Sequence, residues 1–471
     1  MNAKRYLPLL CTLALLAQAP AHAGLSDDPL LATPAMLDDG ALLPDATPVR
    51  CATAPDFRQP LLLGDAVDTA LCSNPQIRAS WAQIKQQTGA VGEARAAYLP
   101  TLNGSVSRLR NSTSYPSAAR AQDVESTGNQ YYVSLSWRLF DFGGRAANRE
   151  EANQMLLAAI AGHDAALQKT MTTVIQAYFS AVTAQDAAAA RAHIADLAGQ
   201  TLSVAQRRER LGATTQDDTL QATTALAKAQ LNAINADGEA QKAQAVLKQA
   251  MGISLATAVI LPPQAERAIP SDIQDLQRWL TLAEAGHPAI REARARLSAD
   301  REKIISVRSD GLPVVDLTGH LSKNGYPNQG LSSLSQTSRD IGITVSVPLF
   351  EGFSRQYKIM EARAQAEQSE AQLADTTEQI LTEVVKAWAD ARTSLGVLSA
   401  SQNLLDAAQA AAASAQRRYD KNVADMLEVL NAQSALADAQ QQRIQAIAQW
   451  QSARLSLLAN TGILGQLPAS P

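Results

Sequence analysis

The sequence predicts a mainly helical protein with a smaller β part, built from two copies of one unit. A turn motif between long helical runs occurs at 207–222 and again at 417–432, where Gly212 matches Asn422, 210 residues apart. Stretches in which apolar and polar residues alternate occur in two pairs, at matching places in the two copies. Because repeats are read before domains are counted, the chain of 471 residues is interpreted as two similar halves.

The composition suits long, closely packed helices better than a globular core. Aromatic residues make up 4% of the chain and charged residues 18%, and alanine is abundant. Small side chains let helix backbones approach each other closely. The formal net charge is −4 and no basic patch stands out, so no nucleic-acid partner is expected.

Residues 1–23 are predicted to be a signal peptide. Lys4 and Arg5 form its basic region, residues 7–16 its apolar region, and residues 21–23 (Ala-His-Ala) its cleavage site. The alternative of a single membrane-spanning helix is disfavoured because the apolar run is too short. Cys11 is not preceded by the small-residue pattern of a lipoprotein signal, so no lipid anchor is expected.

Residues 24–60 form a proline-rich lead-in that cannot be one helix and is expected to be extended or partly disordered. Cys51 and Cys72 remain in the chain after removal of the leader. In an oxidising periplasm they can form a disulfide that ties the lead-in to the body. Two unpaired thiols are the alternative, and the sequence does not decide between the two.

The first repeat is assigned to residues 61–262 and the second to 276–465, with a linker at 263–275 and a C-terminal tail at 466–471. Each repeat begins with two helices separated by a proline break, at Asn74-Pro75 and at His287-Pro288. The second helix then runs into a Leu-Pro pair. Because proline forces the preceding residue into extended geometry, strands are expected to follow.

Four strands are predicted, at 101–110, 131–139, 315–322 and 341–349, joined in pairs by polar loops at 111–129 and 323–338. Strands of roughly ten residues can cross a bilayer as part of a tilted barrel. Four strands cannot close a barrel, since about eight is the practical minimum, and an open sheet edge does not occur in lipid. Either the sheet is soluble, or several chains share one barrel; three chains would supply twelve strands.

An aromatic corner ends the second strand of each pair. Residues 137–145 and 347–355 share a Leu-Phe, acid, Gly and Arg pattern. Trp137 and the phenylalanines are interpreted as part of an aromatic belt at a membrane interface. Ordinary core packing at a strand-to-helix joint is the alternative.

Long helices follow the corners. Residues 146–211 contain no proline and would form a helix about 99 Å long, and residues 354–421 repeat this run. Each helix is expected to turn at its tip, at Gly212 or Asn422, before a return helix, the second of which Asp425 caps. In the second long helix, apolar or small residues keep the spacing of about 3.5 that coiled coils show: Ile380, Val384, Ala387, Ala391, Leu395, Leu398 and Leu405.

This arrangement resembles the TolC family of outer-membrane channel-tunnels, from about residue 61 to residue 465. The two tips, the two proline breaks and the Leu-Phe-acid-Gly corners carry the resemblance. It implies a homotrimer in the bacterial outer membrane, with one shared twelve-stranded β-barrel and a helical α-barrel in the periplasm. It also implies that the tips close the tunnel and meet a periplasmic adaptor and an inner-membrane ABC transporter or other pump.

The same resemblance places the tunnel entrance at the tips. Glu428 matches the first position of the family's acidic ring, whereas Asn431 stands where a second acid often lies. Ala424 replaces an arginine that ties the closed tip in the best-known member, so a latch of that kind with Asp218 is not expected, and Arg417 or Arg418 are its substitutes. The candidate entrance residues are Asp217, Asp218, Arg417, Arg418, Asp425, Glu428 and Asn431.

Branches of the family serve toxin export or drug efflux. The lack of a lipid-anchor motif disfavours the lipid-anchored efflux branch. The leader and alanine-rich character favour the outer-membrane component of an adenylate cyclase–haemolysin type I secretion system, which passes an exported protein. Efflux of drugs or other solutes is one alternative. A soluble periplasmic coiled-coil adaptor is another, although it leaves the four strands unexplained.

An enzyme is not expected, and neither is a metal or another cofactor. The five histidines show no metal-ligand spacing. The sequence also contains no glycine-rich phosphate loop and no nucleophile elbow.

Overall fold

The computed structural model describes residues 28–33, 57–115, 122–263, 275–324, 336–421 and 423–462. The predicted signal peptide, most of the predicted lead-in and linker, and the predicted tail lie outside these residues, as do Cys51 and Asn422. None of the described helices combines the length and the apolar character needed to cross a membrane.

The described elements follow the predicted order twice. The first half contains α1 (Leu63–Ser73), α2 (Pro75–Ala96), β1 (Thr101–Tyr115), β2 (Gln122–Phe140), α3 (Gly144–Arg210) and α4 (Gln216–Met251). The second half contains α5 (Leu276–Gly286), α6 (Pro288–Ser309), β3 (Val314–Asn324), β4 (Gln336–Ser346), α7 (Ser354–Asp420) and α8 (Met426–Asn460). The two long helices, α3 and α7, each contain 67 residues.

Proline breaks separate α1 from α2 and α5 from α6, as predicted. At the first break, the Asn74 side chain accepts a hydrogen bond from the Gln76 backbone N–H (2.8 Å) and donates one to the Ala250 carbonyl oxygen (3.0 Å). At the second break, His287 Nδ1 accepts a hydrogen bond from the Ala289 N–H (3.2 Å). Each break therefore caps the helix that follows it with a polar side chain.

The chain divides into two compact units. One contains the strands and the helical segments next to them, within Lys85–Asn153 and Arg301–Arg363. The other contains the remaining helical segments, including both hairpin tips.

The sheet unit holds one antiparallel sheet in the order β1-β2-β3-β4. The two repeats meet between β2 and β3, where Gln130 pairs with Asn324 and Phe140 with Val315. The predicted polar loops were too long, because β1 and β2 pair as far as Tyr115 and Gln122. Main-chain pairing continues through polar residues, which carry no apolar alternation to mark them as strand.

Exposed aromatic rings surround the two corners. Phe140 and Phe142 are half exposed and pack edge to face at 4.7 Å, and Phe350 and Phe353 pack similarly at 5.6 Å. Ordinary core packing therefore does not describe these rings within the single chain. The aromatic belt stays a prediction.

The helical unit has cores built largely from small side chains. One joins α1, α3 and α4 through Ala66, Val174, Tyr178 and Leu247, and the Tyr178 hydroxyl donates to the Leu61 carbonyl oxygen (2.9 Å). Another core joins α5, α7 and α8 and contains Val384, Ala387 and Ala391 of the predicted coiled-coil spacing.

Candidate functional site: the two hairpin tips

The first tip reverses the chain between α3 and α4 with a glycine turn. Gly212 has φ +71° and donates its N–H to the Glu209 carbonyl oxygen (2.8 Å), and Ala213 donates to the Arg208 carbonyl oxygen (2.8 Å). A left-handed residue with these two bonds satisfies carbonyls that the end of a helix leaves open. Glycine adopts this conformation without the steric penalty of a Cβ atom.

The second tip begins α8 with the predicted aspartate cap. The Asp425 carboxylate accepts a hydrogen bond from the Glu428 N–H (2.8 Å). At the equivalent place in the first tip, Thr215 precedes α4 but its side chain makes no capping hydrogen bond. The predicted turn at Asn422 lies outside the described residues.

Two polar contacts organise the acidic residues of the tips. Arg418 forms an ion pair with Glu428 inside the second tip, with both side chains partly exposed. In the first tip, the Thr214 hydroxyl donates to the Asp218 carboxylate. Asp218 thus has a hydrogen-bond partner within its own tip, and Arg418 pairs with Glu428 rather than with Asp218. The role of these residues at an entrance stays a prediction.

A contact that the sequence did not reveal joins the two hairpins. The Arg208 guanidinium lies 4.5 Å from the centroid of the Tyr419 ring and donates a hydrogen bond to the Tyr419 carbonyl oxygen (3.1 Å). Tyr419 is 4% exposed, and its hydroxyl has no hydrogen-bond partner among the described residues. The sequence held one signal that pointed to Arg208: it occupies the position in the first repeat that Arg418 occupies in the second.

Small side chains let the two tips pack against each other. Their shared core contains Ala205 and Ala222 of the first hairpin with Ala415, Met426 and Val429 of the second. Alanines at such positions permit the close approach of backbones that the composition predicted. The tips are therefore held by an apolar core with the Arg208–Tyr419 contact beside it.

A groove of about 630 Å³ runs between the first hairpin and α8. Asp217 and Asn431 both line it, so two of the candidate entrance residues lie on one surface. Arg191 also lines this groove and faces Asp438 at 3.7 Å. Arg417 is exposed and forms no ion pair with any residue in the described part of the chain.

Two buried histidines have strongly perturbed pKa values in the described part of the helical unit. Desolvation lowers the pKa of His163 to about 4, and its Nδ1 lies 2.8 Å from the Ser80 hydroxyl oxygen. Desolvation also lowers the pKa of His287 to about 4, and the positive charge of Arg291 acts in the same direction. Burial raises the pKa of Asp164, although its ion pair with Arg291 (2.8 Å) opposes this shift.

Cys72 is disulfide-bonded in the structure. Its predicted partner, Cys51, lies outside the described residues, so the Cys51–Cys72 pairing stays a prediction. Within the described ranges, no group of three or more His, Cys, Asp or Glu side chains is arranged to hold a metal ion.

Two long helical hairpins joined to a four-stranded antiparallel sheet define a channel-tunnel architecture. The chain belongs to the outer membrane efflux protein family, which matches residues 66–253 and 279–463. This family is one of outer-membrane channels rather than enzymes. The protein is an outer-membrane protein whose helical part lies in the periplasm, as the sequence predicted.

Relatives and solved structures agree with this assignment. The chain is 35% identical over 445 residues to Protein CyaE of Bordetella pertussis, covering 93% of this chain and 91% of that protein. It is 27% identical over 411 residues to the alkaline protease secretion protein AprF of Pseudomonas aeruginosa, with coverage of 85% and 84%. The outer-membrane channel OprN shares the fold with a TM-score of 0.75 at 20% identity, covering 88% of this chain and 95% of that one. The outer membrane protein VceC from Vibrio cholerae gives 0.74 at 20% identity, with coverage of 85% and 96%.

Proposed function

We propose that this protein is the outer-membrane channel of a type I secretion system and passes an exported protein out of the cell. The observation that carries the proposal is the four-stranded sheet, whose end strands β1 and β4 have no further strand beside them among the described residues. Unpaired main-chain groups at a sheet edge are costly in lipid. Three copies joined edge to edge close one twelve-stranded barrel and remove every open edge.

The exported cargo is inferred from the relatives. AprF of Pseudomonas aeruginosa and PrtF of Dickeya chrysanthemi are both named as protease secretion proteins. Secretion of a protein through a channel of this kind is passive at the outer membrane. An inner-membrane ABC transporter or other pump supplies the energy, and a periplasmic adaptor connects it to the channel.

Efflux of small molecules is the second candidate function. The outer membrane efflux protein BepC of Brucella suis is 25% identical to this chain over 402 residues. The secretion function is favoured because AprF, which is named as a secretion protein, is more similar to this chain, at 27% identity over 411 residues, than BepC is.

The hairpin tips form the periplasmic entrance in this proposal. Three-fold repetition would set three Arg418–Glu428 pairs and three copies of the Asp217–Asn431 groove around one axis. Charges repeated in this way act together as a field on a passing ion. Among the candidate entrance residues, four are acidic and two are basic, whereas the whole tip motifs, 207–222 and 417–432, together carry six acidic and six basic side chains.

Chemical cross-linking of the detergent-extracted outer-membrane fraction, followed by sizing, tests the assembly. A cross-linked trimer is expected, since one chain has too few strands for a barrel. A soluble periplasmic monomer or dimer would overturn the channel and favour the adaptor alternative. Deleting the gene and measuring both secreted protein and drug sensitivity then separates secretion from efflux, because secretion predicts loss of exported protein with little change in sensitivity.

A further inference from the structure

One face of the sheet is apolar and exposed across all four strands. Side chains alternate between the faces of a strand, and directly paired residues share a face. In β1 and β2, Val106 pairs with Tyr131 and Gly104 with Val133; in β3 and β4, Leu317 pairs with Ile343. The exposed members of this apolar face include Leu102, Val106, Tyr131, Val133, Leu321, Ile341, Ile343 and Val345.

The opposite face is polar. Tyr132 and His320 stack there at 5.6 Å, with the Tyr132 hydroxyl 2.7 Å from His320 Nδ1. Arg138 and Asp316 form an ion pair on the same face at 3.1 Å. The sheet therefore has one face suited to lipid and one suited to water, as membrane barrels require.

Three basic side chains lie at one end of the apolar face. Arg108 follows Val106 by two residues, Lys323 pairs with Tyr131, and Arg339 pairs with Leu321, so all three lie on the apolar face. We call Arg108, Lys323 and Arg339 the basic band. All three are exposed, and none forms an ion pair with another described residue.

The basic band runs diagonally through the strand register. Measured along β2, Arg108 lies at the level of Asn129, Lys323 at Tyr131, and Arg339 near Val133. Barrel strands are tilted by roughly 35–45° from the membrane normal, so positions at one height in a bilayer are displaced from strand to strand. Charged residues that lie at one height in the membrane therefore occupy a diagonal across the strand register.

The basic band lies toward the end of the sheet at which β1 ends and β2 begins. The helices α2 and α3 join these two strands at the opposite end of the sheet. With the helical part in the periplasm, the end of the sheet that carries the basic band faces the outside of the cell. The apolar side chains of β2 on this face run from Tyr131 to Trp137 and, past the register shift, to Phe140, which pairs with Val315. This span is close to the roughly 9–11 residues that cross a bilayer. The basic band then lies at the headgroup level of the outer leaflet.

We propose that the basic band, together with the apolar face beneath it, binds the phosphorylated glycolipid of the outer leaflet, lipid A, through its phosphate groups. The inference rests on the proposed function, because it needs the sheet in the outer membrane. Guanidinium and ammonium groups form strong charge-assisted hydrogen bonds with phosphate oxygens. The exposed Leu102 and Ile341 face the acyl chains on the same side of the sheet.

The charge balance fits an anionic ligand. Arg110 lies on the same face but is already paired with Glu125 at 2.7 Å, which leaves the three members of the basic band without a protein partner in the described structure. Arginine can bind a phosphate through two hydrogen bonds and lysine acts as a point charge. Three unpaired cations in each chain match a lipid with two phosphate groups better than a neutral headgroup.

Native mass spectrometry of the full-length protein in detergent tests the proposal. The probes are lipid A carrying both phosphates and lipid A from which both phosphates have been removed. Wild-type trimer is expected to bind the phosphorylated lipid at least tenfold more tightly than the phosphate-free one. The combined variant Arg108→Gln, Lys323→Gln and Arg339→Gln is expected to lose at least tenfold in affinity for the phosphorylated lipid.

A matched control removes the same charge elsewhere. Lys85→Gln, Lys228→Gln and Lys358→Gln replace three exposed lysines of the helices, and this variant is expected to bind like wild type. Unchanged binding by the basic-band variant, equal binding of phosphate-free lipid A, or full competition by phosphatidylglycerol would each overturn the proposal. Absence of any trimer in the spectrum would instead overturn the proposed function, and the two failures are thereby distinguished.

Discussion

The Arg208 guanidinium of the first hairpin stacks 4.5 Å from the centroid of the Tyr419 ring of the second hairpin. This contact breaks the symmetry of the two repeats. Arg208 and Arg418 are equivalent positions, yet Arg208 crosses to the other hairpin, whereas Arg418 pairs with Glu428 within its own. The neighbouring positions also differ, since Glu209 accepts a hydrogen bond from Thr219 (2.6 Å) where the second repeat has Tyr419.

Arg208→Gln is expected to loosen the packing of the two tips. The change removes a stacked cation and a charge-assisted hydrogen bond to a carbonyl oxygen, together worth about 1–2 kcal/mol at a half-buried position. Purified trimer in planar bilayers should then show higher conductance and more frequent opening than wild type. Hydrogen exchange of the amides near residue 419 should also become faster.

Arg207→Gln is the matched control for this change. Arg207 carries the same charge one position earlier but is exposed and has no described ion-pair partner. Its conductance should stay at the wild-type value. Tyr419→Phe should keep the stacking and leave stability equal or slightly higher, because the lost hydroxyl is buried without a partner. Equal conductance in the Arg208 and Arg207 variants would rule out a role for the stacked pair at the entrance.

Glu428→Gln is expected to reduce the preference of the channel for cations. The change removes a carboxylate and leaves the Arg418 guanidinium without its partner, so the local charge becomes more positive by one unit per chain. The reversal potential under a KCl gradient should shift toward anions. Adding Arg418→Gln should restore most of the original potential. A reversal potential that does not move in either variant would place Glu428 outside the constriction.

The fold could be predicted from the sequence where a residue type acts through the backbone. Proline at 75 and 288 fixed the helix breaks, and Gly212 marked a turn with positive φ. The reach of β1 and β2 to Tyr115 and Gln122 could not be predicted, because it depends on pairing between strands rather than on alternation.

The candidate site was predictable only in part. The cap at Asp425 followed from local spacing. The partner of a long arginine side chain depends on which helices lie beside it, and a single sequence does not contain that information. For this reason the choice between Arg417 and Arg418 stayed open, and the Arg208–Tyr419 contact was missed.

Asp425→Ala is expected to fray the start of α8. The carboxylate that accepts the Glu428 N–H is lost, which costs about 1 kcal/mol at a helix start. Hydrogen exchange at residues 427–430 should become several-fold faster. Thr215→Ala is the control at the matching place, since that side chain makes no capping bond and its loss should change exchange at 217–220 little. Equal effects of the two substitutions would contradict the importance of the cap.

Acid is expected to destabilise the helical unit through His163. The pKa of His163 is lowered by burial from 6.5 to about 4, so the folded state binds this proton less readily than the unfolded state. Its contribution to stability is therefore fully present above about pH 6.5 and is lost as the pH falls toward 4. A depression of this size is worth on the order of 3 kcal/mol.

His163→Gln should make thermal stability less dependent on pH between 7 and 4.5. Circular dichroism of the helices at a series of pH values measures this slope. His193→Gln is the control, because His193 is exposed on the same helix and should leave the slope as it is. An unchanged slope in the His163 variant would show that another group governs the loss of stability in acid.

Gly252→Ala is expected to destabilise the protein much more than Gly212→Ala, although both glycines have φ +71° and each ends a long helix. The backbone strain of a left-handed alanine, about 1 kcal/mol, is common to both changes. A Cβ atom at residue 212 would meet nothing within 4 Å, whereas one at residue 252 would lie 2.9 Å from the Ser73 carbonyl oxygen and 3.0 Å from Asn74 Cα. These are backbone atoms at the proline break, so they cannot move aside as a flexible side chain can. The thermal unfolding temperature should therefore fall by a few degrees for Gly212→Ala and by at least twice as much for Gly252→Ala. Equal losses would mean that strain alone sets the cost and that the end of α4 does not need its close approach to the first proline break.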